Sequence, residues 1–153
     1  MTLYRILLFV HVLGAVAWVG GGVFNYLHGL SIKATKDPVR MAAFTHESAE
    51  FGARYFAPAA IVTVLAGIWL VFEGDVGFDH FWIISAIVIW IYTIVSNVTW
   101  LQRLDEEIES TIAEKGPADP EVRAAGQQMF RWRTLEVALL VFVIFAMTYR
   151  PFA

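Results

Sequence analysis

Four histidines, His11, His28, His46 and His80, are the side chains of this 153-residue chain best suited to hold a metal or pass a proton near neutral pH. Cysteine is absent, which excludes disulfides, thiolate zinc and iron-sulfur sites, covalent haem attachment and a thiol nucleophile. His11 stands within an apolar run from Leu3 to Leu30. At 1.5 Å per helical residue it lies roughly 12 to 13 Å in from the start of that run. An imidazole at such depth in hydrocarbon needs a partner. Either it is a neutral ring hydrogen-bonded to nearby backbone or hydroxyl, or it is an axial ligand to haem iron or another metal. A proton relay is the third reading.

His11, Gly14, Trp18, Gly21, Asn25 and His28 recur at alternating steps of three and four. That spacing gathers them on one helical face, as in a bundle seam. The glycines of this face suit close approach of a second helix, and the same missing side chains would admit a flat porphyrin. His28 lies about 25 Å beyond His11 along the helix, so one metal cannot bind both. If His28 is a ligand, its partner is His46 in the next connection; otherwise both face water or lipid headgroups. His80 follows Asp79 and reads as a loop or cap residue. Copper is the alternative metal. Cu(I) prefers sulfur, and of four methionines only Met147 lies within an apolar run.

The elements that must position these residues are membrane helices. The chain is 58% hydrophobic and 16% charged, against about 45 to 50% and 25% in soluble domains. Four apolar runs predict a single all-α domain, a four-helix transmembrane bundle with spans near 3–30, 58–73, 81–101 and 133–150. Arg5 and Ala15-Val16-Ala17 loosely imitate a signal peptide, but the run continues to Leu30 and predicts a retained span. Connections 31–57 and 102–132 hold most of the lysines and arginines, while the segment from Glu73 to His80 is acidic. The positive-inside rule therefore puts both long connections in the cytoplasm and both termini outside.

After the cap Asp37-Pro38, the residues Met41, Phe44, Ser48, Phe51 and Tyr55 fall on one face, which predicts an amphipathic helix between spans one and two. It would lie on the inner surface or against the bundle. Gly116-Pro117 should end an extension of the third helix, and Asp119-Pro120 should start a helix that runs into the fourth span. The third span carries its own stripe, Ser85, Ile89, Tyr92, Ser96, Thr99 and Arg103. Glu136, near the inner end of the fourth, should pair with Arg133 one turn away. Triads, phosphate loops and nucleic-acid patches are absent; the lipid bilayer is the expected partner, and a homo-oligomer is compatible with the pattern.

The pattern H-x6-W-x-x-G, here His11, Trp18 and Gly21, resembles the first helix of bacterial copper-resistance protein D (CopD) domains and of HemJ protoporphyrinogen oxidases. Phe56-x-Pro58, Gly67-x-Trp69 and the ending Met147-Thr148-Tyr149-Arg150-Pro151 look more like small four-helix integral membrane proteins related to both. The resemblance implies a bacterial inner-membrane bundle whose first-helix histidine, His11, binds haem b. The expectation is a haem b membrane redox protein that exchanges electrons with quinone or a membrane partner, with sites among His11, Gly14, Trp18, Gly21, His28 and His46. The alternatives are a copper-handling protein and a cofactor-free partner subunit.

Overall fold

A computed structural model describes residues 2–150 and contains, among them, helices and short connections but no strand. Pro151 of the closing motif lies outside the described residues. The chain forms four rods: α1 (Thr2–Ala34), α2 (Pro38–Glu73), α3 (Phe81–Lys115) and α4 (Pro120–Tyr149). The first three are long and apolar enough to cross a membrane.

The boundaries follow the cap chemistry. The Asp37 carboxylate accepts from the amides of Val39 (2.9 Å) and Arg40 (3.3 Å), with Pro38 in the first turn. Asp119 accepts from the Glu121 amide at 2.8 Å and starts α4 in the same way. α3 stops at Gly116, whose φ of +87° is open to glycine and strained for other residues. α4 is one uninterrupted helix through Arg131 and Arg133 into the last apolar run.

The amphipathic helix differs from a separate surface helix. Pro38–Phe51 passes through a π-turn, Gly52–Phe56, directly into Ala57–Glu73, so extension and span are one rod. It lies against the bundle, touching the end of α1 and the extension of α3.

Three rods contain such a π-turn: Val16–Gly20 in α1, Gly52–Phe56 in α2 and Asn97–Leu101 in α3. Each adds one residue to a turn and so rotates every later side chain about the helix axis. In α3 the buried face steps from Ser96 to Leu101, then to Leu104 and Ile108. Thr99 and Arg103, which strict periodicity places on that face, are exposed. In α1 the buried positions step from Gly14 to Val19 and resume at Gly29 and Ile32, leaving His28 exposed. In α2 Phe51 and Tyr55 turn outward, 53% and 60% exposed, and stack on each other instead of lining the seam.

α1 packs chiefly on α2 and α3 on α4. Leu101, Leu104, Ile108, Ala125 and Met129 form an apolar core between α3 and α4, joined by Trp100, Ile112, Val122 and Trp132. α1 and α2 meet through small residues, which let helices approach closely: Gly14, Ala60, Thr63 and Ala66 are buried. Large apolar side chains such as Phe9, Phe24, Leu65 and Val88 point outward, as lipid-facing positions require.

Candidate functional site

His11 meets α2 edge-on. Its Nδ1 lies 2.7 Å from the carbonyl oxygen of Thr63. A carbonyl only accepts, so Nδ1 bears the proton, and in the neutral ring Nε2 keeps its lone pair. Gly67, one turn on from Thr63, makes the approach possible. A Cβ there would sit 2.9 Å from His11 Cε1 and 3.0 Å from Nδ1, inside the tolerated contact distance. α2 thus fixes the ring's tautomer and orientation and leaves its second nitrogen for another group. A backbone carbonyl on the far nitrogen is the usual support of a metal-bound histidine, and it equally satisfies a histidine with no ligand.

The glycine face is filled by protein. A Cβ at Gly14 would lie 2.5 Å from Thr63 Oγ1 and 3.3 Å from the Thr63 amide nitrogen; one at Gly21 would lie 2.5 Å from Phe56 Cε1. Close helix packing accounts for both residues. Trp18 is half-buried at the π-turn. Asn25 receives the Ser48 hydroxyl at 3.2 Å, and Tyr26 meets Thr134 of α4 at 2.9 Å. By residue count from the same end of the bundle, Trp90 of α3 stands at the depth of His11. Its indole Nε1 is buried and without an acceptor, as is that of Trp100.

His28 and His46 are not brought together. His28 lies between the rings of Phe24 and Phe44, at 6.1 and 5.4 Å between centroids. His46 is two residues beyond Phe44, about 200° around the helix, and faces α3, where Nδ1 donates to Glu109 at 3.0 Å. His80 occupies the N-cap position of α3 without a side-chain capping bond and stacks on Trp82. Among the described residues no three His, Cys, Asp or Glu side chains converge to hold a metal.

The His46–Glu109 contact lies outside the spanning segments and carries a pH dependence. The Glu109 hydrogen bond and charge hold His46 above its ordinary 6.5. Protonated His46 is therefore the form that the fold favours. The contact contributes fully below pH 6.5 and fades as the pH rises through the raised value. An NMR titration should give a midpoint above 6.5 that falls in Glu109→Gln; a midpoint insensitive to that substitution would remove the contact.

A second polar constellation joins α3 to α4 where the third π-turn begins. Arg133 Nη1 donates to Glu136 Oε2 and to Asn97 Oδ1, each at 2.8 Å. Asn97 Nδ2 in turn donates to Glu136 Oε1 and to the Thr93 carbonyl, each at 2.7 Å. The Arg133–Glu136 pair is legible from its spacing. Asn97 is not, because it lies off the polar stripe of Ser85, Tyr92 and Ser96; it follows Ile89 and Thr93, both buried, at steps of four. Two turns on, in the extension, burial pushes the Asp105 carboxyl up to about 6, opposed by the charge of Arg133.

Compared with known proteins, residues 5–151 match a family model described as "Predicted integral membrane protein (DUF2269)". No curated protein matches the chain, and no solved structure does.

Proposed function

This chain belongs to that family of predicted integral membrane proteins, and from its own geometry we propose that it binds haem b and serves as a membrane redox protein. The observation that carries this reading is the His11–Thr63 hydrogen bond. It fixes the imidazole with Nδ1 protonated and Nε2 open, the state of a histidine that ligates iron. His11 would hold the group through Nε2, the ring nitrogen that the Thr63 hydrogen bond does not use. Bound haem would supply one-electron chemistry, with quinone or another membrane carrier as the partner. The residues of the chain orient the ligand through Thr63 and Gly67 and keep water out with apolar side chains.

In the full reading the apolar run of α4 is the fourth span. The bundle lies in a bacterial inner membrane with both termini outside, in keeping with the distribution of Lys and Arg and the resemblance to CopD and HemJ proteins. The reading stops at haem binding and assigns no porphyrinogen oxidation. Copper handling rests on the resemblance alone. A cofactor-free partner subunit is favoured by one specific observation, the filling of the glycine face by Thr63 and Phe56.

An absorption spectrum of the detergent-purified protein tests the proposal. A Soret band that shifts on reduction supports it. Stoichiometric copper without porphyrin would replace it with the copper reading, and a colourless protein that co-purifies with another chain would replace it with the subunit reading. Gly67→Ala separates ligand orientation from general packing. The new methyl must push the imidazole off the Thr63 carbonyl, and loss of such a supporting hydrogen bond weakens binding about 10- to 100-fold. The helix itself gains up to about 1 kcal/mol from Gly to Ala. Haem retention should therefore fall by far more than the change of about 1 kcal/mol in thermal stability accounts for, and unchanged retention would deny His11 the role.

A further inference from the structure

The outer flank of α4 carries a groove of about 580 Å³ lined by Ala124, Gln127, Gln128, Arg131, Trp132 and Leu135. None of these is acidic. Arg131 is exposed and, among the described residues, has no carboxylate within ion-pair distance, whereas Arg133, Arg54 and Lys115 are each paired with a glutamate. Arg131 thus presents an unneutralised guanidinium flanked by two amide side chains. The groove sits where the water-exposed extension gives way to the last apolar run. Trp132 stands at that boundary and packs at 5.5 Å on Trp100 of the extension core.

The face does not end at Leu135. Positions 128, 131, 135, 138, 142 and 145 follow one another at steps of three and four and so share one side of the helix. Leu135, Phe142 and Phe145 are 43%, 39% and 53% exposed. A polar, cationic head therefore continues into an outward-facing apolar column, with no other rod over it. A ligand complementary to both parts is an anion with a hydrocarbon tail. A guanidinium recognises phosphate through paired N–H groups, the glutamine amides suit glycerol or phosphate oxygens, and an acyl chain matches the column below.

We propose that this groove is a binding site for the phosphate headgroup of an anionic phospholipid, held by Arg131 with Gln127 and Gln128, its acyl chain along Leu135, Phe142 and Phe145. The proposal rests on the reading of α4 as a span and is independent of haem. Native mass spectrometry of the detergent-solubilised full chain, titrated with phosphatidylglycerol or phosphatidylcholine, tests it. Phosphatidylglycerol should be retained in preference to phosphatidylcholine. Arg131→Gln should weaken that retention about fivefold, the loss of one cation at an anionic lipid. Arg131→Lys should restore part of it, and Arg123→Gln, outside the groove, should leave it unchanged. The Soret band should be the same in all variants. Equal retention of the two lipids, equal retention by wild type and Arg131→Gln, or displacement of phosphatidylglycerol by inorganic phosphate would each overturn the site, the last by reassigning it to free phosphate.

Discussion

On the proposed haem reading, His11→Ala is expected to yield a protein that inserts and folds as the wild type does but retains less than about one-tenth of the wild-type haem, since the proposed ligand is removed. The substitution strands no acceptor. Thr63 and Gly67 both lie inside the helix Ala57–Glu73, so the Thr63 carbonyl keeps its helical amide partner. Stability should change by no more than the loss of one hydrogen bond and some packing, about 1 to 2 kcal/mol. Imidazole added to the variant should restore a Soret band by occupying the vacated volume. A band of wild-type intensity in His11→Ala would move the ligand elsewhere. A colourless variant that has also lost its helical content would show a structural requirement instead.

The largest stability effect is expected at the α3–α4 clasp. Glu136→Ala removes the carboxylate that Arg133 and Asn97 share, leaving Arg133 only Asn97 Oδ1 and Asn97 only the Thr93 carbonyl. Arg133 then holds an uncompensated, partly buried charge. Removing one partner of a buried pair costs about 3 to 5 kcal/mol. With the Arg133 and Glu136 side chains 33% and 12% exposed, the expected cost is about 2 to 4 kcal/mol, after discounting for solvent screening. Replacing Asn97, Arg133 and Glu136 together by leucine should cost less than the single change, because no polar group remains to be desolvated. Thermal unfolding in detergent measures both. A single variant as stable as wild type would show that the clasp contributes nothing to cohesion.

The helical architecture is legible in the sequence because its signals are local. Asp37-Pro38 and Asp119-Pro120 start helices, Gly116 ends one, and the three-and-four spacing of Glu136 and Arg133 makes them partners. What escapes is phase. A π-turn leaves no mark in composition, yet each one rotates the following face. Hence Thr99 and Arg103 trade places with Leu101 and Leu104, and Tyr55, inside the second π-turn, leaves the seam. Asn97 is the link that the polar stripe overlooks, because it continues the row of Ile89 and Thr93 instead.

The candidate site divides along the same line. That His11 is deep follows from counting residues. That it meets Thr63 depends on Gly67, a residue 56 positions away whose missing side chain makes room for the ring. The stripe from His11 to His28 reads as one continuous face only if α1 is a regular helix. The π-turn at Val16–Gly20 breaks it, leaving His11 against α2 and His28 exposed between phenylalanine rings. Gly14 and Gly21, which suit porphyrin and helix equally well in sequence, are taken by Thr63 and Phe56. His46 turns to Glu109 because it lies on the opposite side of its helix from Phe44.

The haem-to-protein ratio of the full chain, purified in detergent from haem-replete cells and measured as the pyridine haemochrome, tests the central claim most directly. One haem b per chain, lost on His11→Ala, is the predicted result; a folded, helical protein with a ratio near zero would contradict it.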